Sequence, residues 1–595
     1  MREKLVDWGG GVFRAPGATI VDRTGRKVLP IGRDGFAQVA ESFVFVDKTM
    51  FIADVLDASY AATLFCRPRR FGKTLNLTML KTFFEKPLDG SDNSRLFEGT
   101  DLWEASGGAY RQHQGAYPVV YLSLRTVKGP TWESSYAALV NVIAAEFRRH
   151  AELISSEALS SDERAYVETM ARGDGSEGDY ADSLINLTRL LSKHNGSYVI
   201  VLIDEYDAPV MAAHSASESH YDRIVAFLKQ WLTGALKDGG EALQLACLTG
   251  VQRISKESIF SDLNNLVVST ALTQEFDERF GFTHAEVSAL LDYMGYSGQC
   301  DVAKRWYDGY RFGRDDVYNP WSTLNFVRNG CSADIYWGNT SSNGVVGDLL
   351  RHANQDTLSH IYELLEPEGY VVAPLDLGIV FPDLGVREGA LWSMLYLAGY
   401  LTTDDTMQPN NRRVLRRLRI PNHEVSELYR EEIVARFAVV AGGRDRLSDL
   451  HRSVVGGDEE GFQRALSRIL TDSVSFFDLT NENGLHMLLL GLLFGMPGYG
   501  DPASNREHGD GRPDIRVEPE DTVFPVAKMP LVTIELKYVQ DASDEKLAEA
   551  ASRALTQIGE RAYDEGPLPA HAMGRVRWGI AAGGKHVAVA VERLS

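Results

Sequence analysis

Cysteine is scarce in this sequence: Cys66, Cys247, Cys300 and Cys331 are the only four among 595 residues. None stands at the paired spacing of a zinc site, and so few in a long chain fit a reducing compartment, not a disulfide framework. No run of about 18 apolar residues occurs, so no membrane-spanning helix is expected. The opening residues, MREKLVDWGGGVFRAPG, lack the apolar core of a signal peptide. The expectation is a cytoplasmic protein with no membrane partner. Positive charge is also in deficit: 61 Lys and Arg against 82 Asp and Glu give a formal net charge of −21. That excludes an indiscriminate nucleic-acid coat, since phosphate binding draws on Lys and Arg, but it leaves room for a local basic groove. The densest basic run, RRVLRRLRI at 412–420, alternates imperfectly and reads as a solvated strand or hairpin. Internal repeats and low-complexity tracts are absent.

What is present is an ordinary globular composition, 44% hydrophobic, 24% charged and 10% aromatic, in a chain too long for one core. The fold class expected is α/β. Up to residue 285, short apolar strands alternate with amphipathic helices: ATLFC (62–66), YPVVYLSL, SYVIVLIDEYD and ALQLACLTGV are strand candidates. TLNLTMLKTFFE, SYAALVNVIAAEFRRHAELI and IVAFLKQWLTGALK have helical spacing. Such a pattern predicts a parallel sheet covered on both faces by helices. Residues 286–470 read as mostly helical and aromatic-rich, with WYDGYRFG and YNPWS as turn-like interruptions. Residues 471–595 read as a separate α/β module: the helix NGLHMLLLGLLFG, the strands RPDIRVE and PLVTIELKYV, a second helix, and a last strand pair.

The stretch LFCRPRRFGKTLNL ends in Gly72-Lys73-Thr74, placed between an apolar strand and an amphipathic helix. A P-loop works there because backbone N–H groups wrap phosphates at a helix N-terminus, the lysine reaches the β and γ phosphates, and the hydroxyl binds Mg2+. The usual first glycine is replaced by Arg67, which is tolerable only where that position keeps φ below zero. A second strand, VIVLIDEYD, ends in Asp204-Glu205, one carboxylate for the Mg2+ shell and the next to orient or deprotonate water. ATP and Mg2+ are the ligands implied. Thr249, closing a further strand in LTGV, is a candidate polar sensor near the γ-phosphate or else a satisfied turn residue, and Arg253 is a weaker candidate for charge stabilisation. Arg69 and Arg70 add charge to the phosphate pocket or pair with acids of the sheet. Asp207 is read as a cap on the turn before Pro209.

These motifs, with FVDKTMFI, LTGVQRISKESIFSDLNNL, YWGNTSSN, LAGYLT and IPNHEV, resemble the AAA-ATPase-like family found mostly in bacteria, over roughly residues 30–585. The family loop reads R-P-R-R-F-G-K-[ST], which Arg67 matches. The resemblance implies a P-loop NTPase domain at 1–285 with an N-terminal extension, the middle region, and a PD-(D/E)XK nuclease-type domain at 471–595. Asp47-Lys48-Thr49 resembles a fixed motif of the family with no chemical role attached.

Metal-dependent phosphodiester cleavage needs carboxylates converging on Mg2+ and a lysine near the attacking water. GRPDI supplies Asp514, and VTIELKYV supplies Glu535 and Lys537, two apart on a strand and therefore on one face. The resulting D-x(20)-E-x-K is the PD-(D/E)XK arrangement. Glu507 matches a further family acid that ligates metal or a ligating water, and Gln557 fits the family's A-x-x-QI motif. Glu482 and His486 on the preceding helix read as a capping residue and a packed histidine. The early helix lacks the aromatic the family usually carries before that histidine.

The leading expectation is an ATPase–nuclease fusion in which Lys73, Thr74, Asp204 and Glu205 gate a Mg2+-dependent nuclease built on Asp514, Glu535 and Lys537. Its partner would be nucleic acid, DNA by preference, in defence or mobile-element processing. A homo-oligomer is compatible with it. The alternative is a nucleotide-controlled signalling or scaffold protein whose nuclease-like domain only binds. Aromatics of the middle region read as core and turn packing in preference to base-stacking platforms.

Overall fold

The computed structural model describes residues 5–594 except 89, 215, 238–239, 253–258, 261–262, 339–354, 380–386, 388, 411–412, 474–480, 505–511, 521–528, 541–542, 570–571 and the side chains of 405–410, 413–414 and 473. The described residues begin with a small antiparallel sheet, β1 (Val6–Gly9), β2 (Val12–Ala15), β3 (Ala18–Val21) and β4 (Phe45–Val46), in that order. It was not anticipated from the sequence.

The apolar runs become the central sheet: β5 (Ala62–Cys66), β6 (Val119–Ser123), β7 (Val199–Asp204) and β8 (Leu243–Gly250), joined by the unanticipated β9 (Leu266–Ser269). Their order is β6-β7-β8-β5-β9, with every pair parallel. Every residue of β5 and β7 is buried, which is why these strands read as unbroken apolar runs without alternation. Helices Lys73–Phe84, Trp132–Arg149 and Glu218–Lys237 fall where helical spacing predicted them. The second starts at a capping box on Thr131 and ends with Arg148 and Arg149 in its last turn, both favourable to the helix ends. The sheet order sets β8 between the strand that enters the Gly-Lys-Thr loop and the strand that ends in Asp204-Glu205. Three strand ends therefore meet at one place.

By packing, the chain divides into two compact units, Met1–Trp337 with Val372–Glu424, and Gly338–Val371 with Val425–Ser595. The middle region is thus shared between both. It contains helices, as expected, and also the hairpin β10 (Tyr310–Phe312) and β11 (Asp315–Val317) and a sheet of β12 (Val371–Pro374), β13 (Thr402–Asn410) and β14 (Arg413–Arg419) in the order β12-β14-β13. The basic run is β14, antiparallel to β13, in keeping with the strand or hairpin expected for it.

In the second unit, helix Glu482–Leu493 precedes β15 (Ala503–Ser504), β16 (Ile515–Val517) and β17 (Met529–Tyr538), then helix Asp544–Glu560, β18 (Ala572–Gly583) and β19 (His586–Leu594). The strands lie in sequence order, β17 and β18 parallel and the other pairs antiparallel. A parallel pair needs a crossover, and helix Asp544–Glu560 supplies it. That helix buries Leu547, Ala550, Ala551, Ala554 and Ile558. It lies so close to β18 that a Cβ on Gly579 would sit 2.0 Å from the Ala551 carbonyl oxygen, so only glycine fits there.

Candidate functional sites

β5 delivers the chain into the loop Arg67–Phe71, and the following helix begins at Lys73 with Gly72 as its N-cap in the left-handed region (φ 78°). Arg70 takes φ 69° without being glycine, a sparsely populated conformation for such a residue. Arg67 is not among the residues with positive φ, so the condition for replacing the usual glycine is met. Its side chain does not reach the loop mouth. The guanidinium is 1% exposed, with Nη1 donating to the carbonyls of Cys66 (3.0 Å) and Ser269 (2.9 Å) and Nη2 to Ser269 Oγ (3.2 Å). It lies over the rings of Phe280 and Phe312, and burial lowers its pKa to about 10. Arg67 therefore ties β5 to β9 beneath the loop, its guanidinium turned into the interior and not toward the phosphate pocket expected of it. Arg70 is exposed and stacks on Trp321 at 4.2 Å, with no ion pair among the described residues. Arg69 is exposed and makes no ion pair among the described residues.

Lys73 is buried, and its Nζ donates to the carbonyls of Arg67 and Pro68, both at 2.8 Å. Burial drives its pKa down to about 8, against the opposing pull of Asp207, Asp204 and Glu205. Thr74 Oγ1 donates to Asp204 Oδ2 at 2.9 Å, and Thr249 Oγ1 donates to Asp204 Oδ1 at 2.6 Å. The Asp204 carboxylate has no exposed surface, and each of its oxygens is held by a hydroxyl from a different element. Glu205 takes φ 50°, and its N–H points to Thr249 Oγ1 at 3.4 Å. Asp207 does not cap the turn before Pro209. Its Oδ2 accepts the N–H groups of Val251 (2.8 Å) and Gln252 (3.0 Å), tying down the chain that leaves β8. Arg253 lies outside the described residues.

One residue of this site was missed. Arg125, two positions past the end of β6, brings Nη2 to 3.2 Å from Thr74 Oγ1 and 3.7 Å from Asp204 Oδ2, and Nε to 3.5 Å from Glu205 Oε1. The only signal for it in the sequence was a basic residue just beyond an apolar strand.

Several other motifs pack onto the loop. Phe71 meets the rings of Tyr310 (4.8 Å) and Phe312 (5.0 Å), Trp321 lies under Arg70, and a Cβ on Gly399 would come within 2.9 Å of Pro68. Tyr310 and Phe312 are buried, so these aromatics are packing residues in the structure. Asp47 Oδ1 accepts the N–H of Thr49 (2.8 Å) and Oδ2 that of Asp101 (2.7 Å), while Lys48 pairs with Glu286 at 2.6 Å. Asp47-Lys48-Thr49 thus acts as an internal joint.

In the second unit Asp514 stands immediately before β16, and its Oδ2 accepts the N–H of Leu536 at 2.7 Å. Glu535 is buried; its Oε1 accepts from Lys537 Nζ at 2.9 Å and from Gln557 Nε2, and its Oε2 is buried with no hydrogen-bond partner among the described residues. Burial, then the neighbouring Asp514, raises the Glu535 pKa to about 7. Burial also raises Asp514. For Lys537 burial, the largest single effect, lowers the pKa, but the bond to Glu535 and the charges of Glu535, Asp514 and Glu482 together outweigh it and hold the pKa up. His486 Nε2 sits 3.0 Å from the Asp514 carbonyl oxygen and 3.1 Å from Ser504 Oγ, a packed histidine. Glu482 Oε2 accepts the N–H of Tyr538 (3.2 Å) and Asn481 caps the helix instead. Glu507 lies outside the described residues, and among the described residues no three His, Cys, Asp or Glu side chains form a metal-holding group. Nor is any helix of the described residues long and apolar enough to cross a membrane.

Comparison with known proteins bears on the first unit. Residues 30–260 match the model of the family described as predicted AAA-ATPase. The chain is 26% identical over 417 residues to an uncharacterized protein in the vnfD 5′ region of Azotobacter chroococcum mcd 1, covering 69% of this chain and 71% of that one. Among solved structures it is similar to a Walker-type ATPase of Pyrococcus abyssi (13% identity, 68% of this chain, 99% of that chain, TM-score 0.37). It is also similar to a signal transduction ATPase with numerous domains, bearing a tetratricopeptide repeat sensor, from Pyrococcus horikoshii (12% identity, 72% of this chain, 54% of that chain, TM-score 0.24). At these scores neither structural likeness adds to what the sheet order and the loop geometry already establish. The family match over residues 30–260 and the meeting of Lys73, Thr74, Asp204 and Thr249 at three strand ends support a P-loop, ATPase-like domain within the first unit.

Proposed function

We propose that the chain binds and hydrolyses ATP in its first unit and cleaves nucleic-acid phosphodiesters at a Mg2+-dependent centre in its second, the first reaction gating the second. The observation that carries the ATPase reading is Asp204, fully buried and held on both oxygens by Thr74 and Thr249. Thr74 and Asp204 are adjacent hard oxygen donors of the kind Mg2+ takes, and Lys73 stands behind them to meet the terminal phosphates. Glu205, partly exposed beside Asp204, suits the task of orienting the attacking water. The nuclease reading is supported by Glu535 Oε2, a buried carboxylate oxygen with no partner among the described residues, beside Asp514 and Lys537. Asp514 and Glu535 would hold the ion and Lys537 would face the attacking water. Mg2+ bound at either place would neutralise charge developing on phosphate oxygens. The nucleic acid is DNA in this reading, the setting defence or mobile-element processing, and the compartment cytoplasmic.

A second reading is favoured by one observation: the chain carries a formal net charge of −21, which works against a nucleic-acid partner. On it, the nuclease-like module binds without cutting, and ATP works a signalling or scaffold switch. A cleavage assay on single-stranded, duplex and circular nucleic acids, with and without ATP, separates the two when run beside Lys73→Ala and Glu535→Ala. Cleavage lost in Glu535→Ala and altered in Lys73→Ala is the outcome expected. ATP turnover with no cleavage of any substrate would leave the switch.

A further inference from the structure

Arg125 is the only cation that touches all three groups on which nucleotide hydrolysis would turn among the described residues. Its guanidinium faces Thr74 Oγ1 (3.2 Å), Asp204 Oδ2 (3.7 Å) and Glu205 Oε1 (3.5 Å), and its Nη1 donates to Asp34 Oδ2 at 3.0 Å. Thr74 and Asp204 are the two oxygens that would hold Mg2+ in the reading above, and a guanidinium and a metal ion cannot both sit against them. Asp34 belongs to the segment just ahead of helix Phe36–Ser42, and its carbonyl accepts from Thr78 Oγ1 (2.8 Å) on the loop's own helix. The arginine thus bridges β6, the acid-bearing end of β7, the helix after the loop and the N-terminal extension. It is 44% exposed, so little packing holds it in this position.

We propose that Arg125 is an exchangeable counter-charge of the nucleotide site, which neutralises Asp204 and Glu205 and yields its place to Mg2+ when ATP binds, moving onto the terminal phosphate. Once displaced from two acids it is an unpaired planar cation beside a newly arrived phosphate, the ligand its fork of donors fits best. The exchange breaks the Arg125–Asp34 bond, so nucleotide occupancy is reported to the N-terminal extension. This rests on the ATPase reading.

The test is the Mg2+ concentration needed to support binding of fluorescent ATP and ADP, followed by anisotropy in the full chain, together with turnover. Arg125→Ala removes the competing cation and is expected to lower the Mg2+ midpoint several-fold. It is also expected to narrow the preference for ATP over ADP and cut turnover by tenfold or more. Arg125→Lys should retain part of the competition and little of the phosphate preference. Asp34→Asn, which loosens the arginine without removing it, should lower the Mg2+ midpoint and leave the ATP preference in place. An unchanged Mg2+ midpoint in both Arg125→Ala and Asp34→Asn overturns the exchange. So does equal weakening of ATP and ADP, the mark of a merely structural residue. A parallel Lys73→Ala keeps the two readings apart. If the wild type binds ATP and Lys73→Ala does not, a null result at Arg125 counts against the exchange alone. A wild type that binds no nucleotide overturns both.

Discussion

Thr249 Oγ1 donates to Asp204 Oδ1 at 2.6 Å, across neighbouring strands β8 and β7. The same hydroxyl oxygen lies 3.4 Å from the Glu205 backbone nitrogen, so one side chain holds the Asp204 carboxylate and the main chain that carries Glu205. Removing it with Thr249→Val leaves a fully buried carboxylate with one donor in place of two, a loss of roughly 1–3 kcal/mol. If that loss falls on the transition state, kcat drops about tenfold for each ~1.4 kcal/mol. Steady-state ATPase kinetics should show a lower kcat with KM changed little, and Thr249→Ser should restore most of it. Wild-type kcat in Thr249→Val would remove Thr249 from the site and leave it a satisfied turn residue.

Arg67 makes the opposite prediction. Its donors go to Cys66 and Ser269, so Arg67→Met should lower the stability of the protein by roughly 1–3 kcal/mol in urea unfolding, through the carbonyls it leaves unsatisfied. Arg67→Lys should rescue little, because one ammonium cannot reproduce a planar fork that meets Ser269 on both its carbonyl and its hydroxyl. ATP affinity measured under strongly native conditions should stay near wild type in both. A variant of normal stability that had lost ATP affinity would return Arg67 to the phosphate pocket.

Glu424 carries a pH dependence. Its Oε1 accepts from Ser322 Oγ (3.0 Å) and from the N–H groups of Tyr336 and Trp337 (both 2.7 Å), and its Oε2 is buried without a partner among the described residues. Burial raises its pKa from 4.5 to about 7. Between those values the folded state keeps a proton that the unfolded chain has released, so stability falls as pH rises through the window. Below pH 4.5 the residue has no such cost, and above about pH 7 the cost is complete. Glu424→Gln removes this dependence. Its stability relative to wild type should climb by roughly 3 kcal/mol from pH 4 to pH 8. The buried amide lacks a partner too, so the slope against pH is the quantity to read in urea unfolding, and parallel curves for the two proteins would refute the assignment.

The features legible in the sequence were those set by local pattern. β5 and β7 are runs of residues buried on both faces, and their apolar continuity announces them without any partner being known. Gly72 and Lys73 announce a strand-to-helix turn through backbone conformation alone. What escaped depends on distant parts of the chain. The Arg67 side chain turns inward because Ser269, 202 residues on, offers it acceptors. The strand holding Ser269 is four residues long and only partly buried at its first three, too faint to stand out. Arg125 sits in a loop whose composition says nothing of Thr74, Asp204 or Glu205, and only the neighbouring positions of β6 and β7 bring them together. The small N-terminal sheet failed to show because four-residue strands joined by tight turns carry no period long enough to read. In the second unit, Glu535 and Lys537 were paired correctly by strand alternation, while the role of Glu482 was not, since its partner Tyr538 lies across the fold.

The last prediction concerns Glu535, whose Oε1 accepts from Lys537 and Gln557 and whose Oε2 has no partner among the described residues. A buried acid left in that state destabilises the protein that contains it, and such strain is commonly kept where a ligand relieves it. Glu535→Gln preserves the shape and removes the charge. Two effects of opposite sign should follow. In EDTA the variant should melt a few degrees above wild type, since a neutral amide is cheaper to bury than a carboxylate beside Asp514. With Mg2+ present the order should reverse, because wild type gains from an ion that the amide cannot hold, and nucleic-acid cleavage should be lost. Differential scanning at fixed pH with and without Mg2+ reads the first pair of outcomes and a gel assay the second. If Mg2+ leaves the wild-type melting temperature where EDTA put it and nucleic acid is retained uncut by both proteins, the module is a binding surface, and the orphan oxygen of Glu535 is strain without a metal.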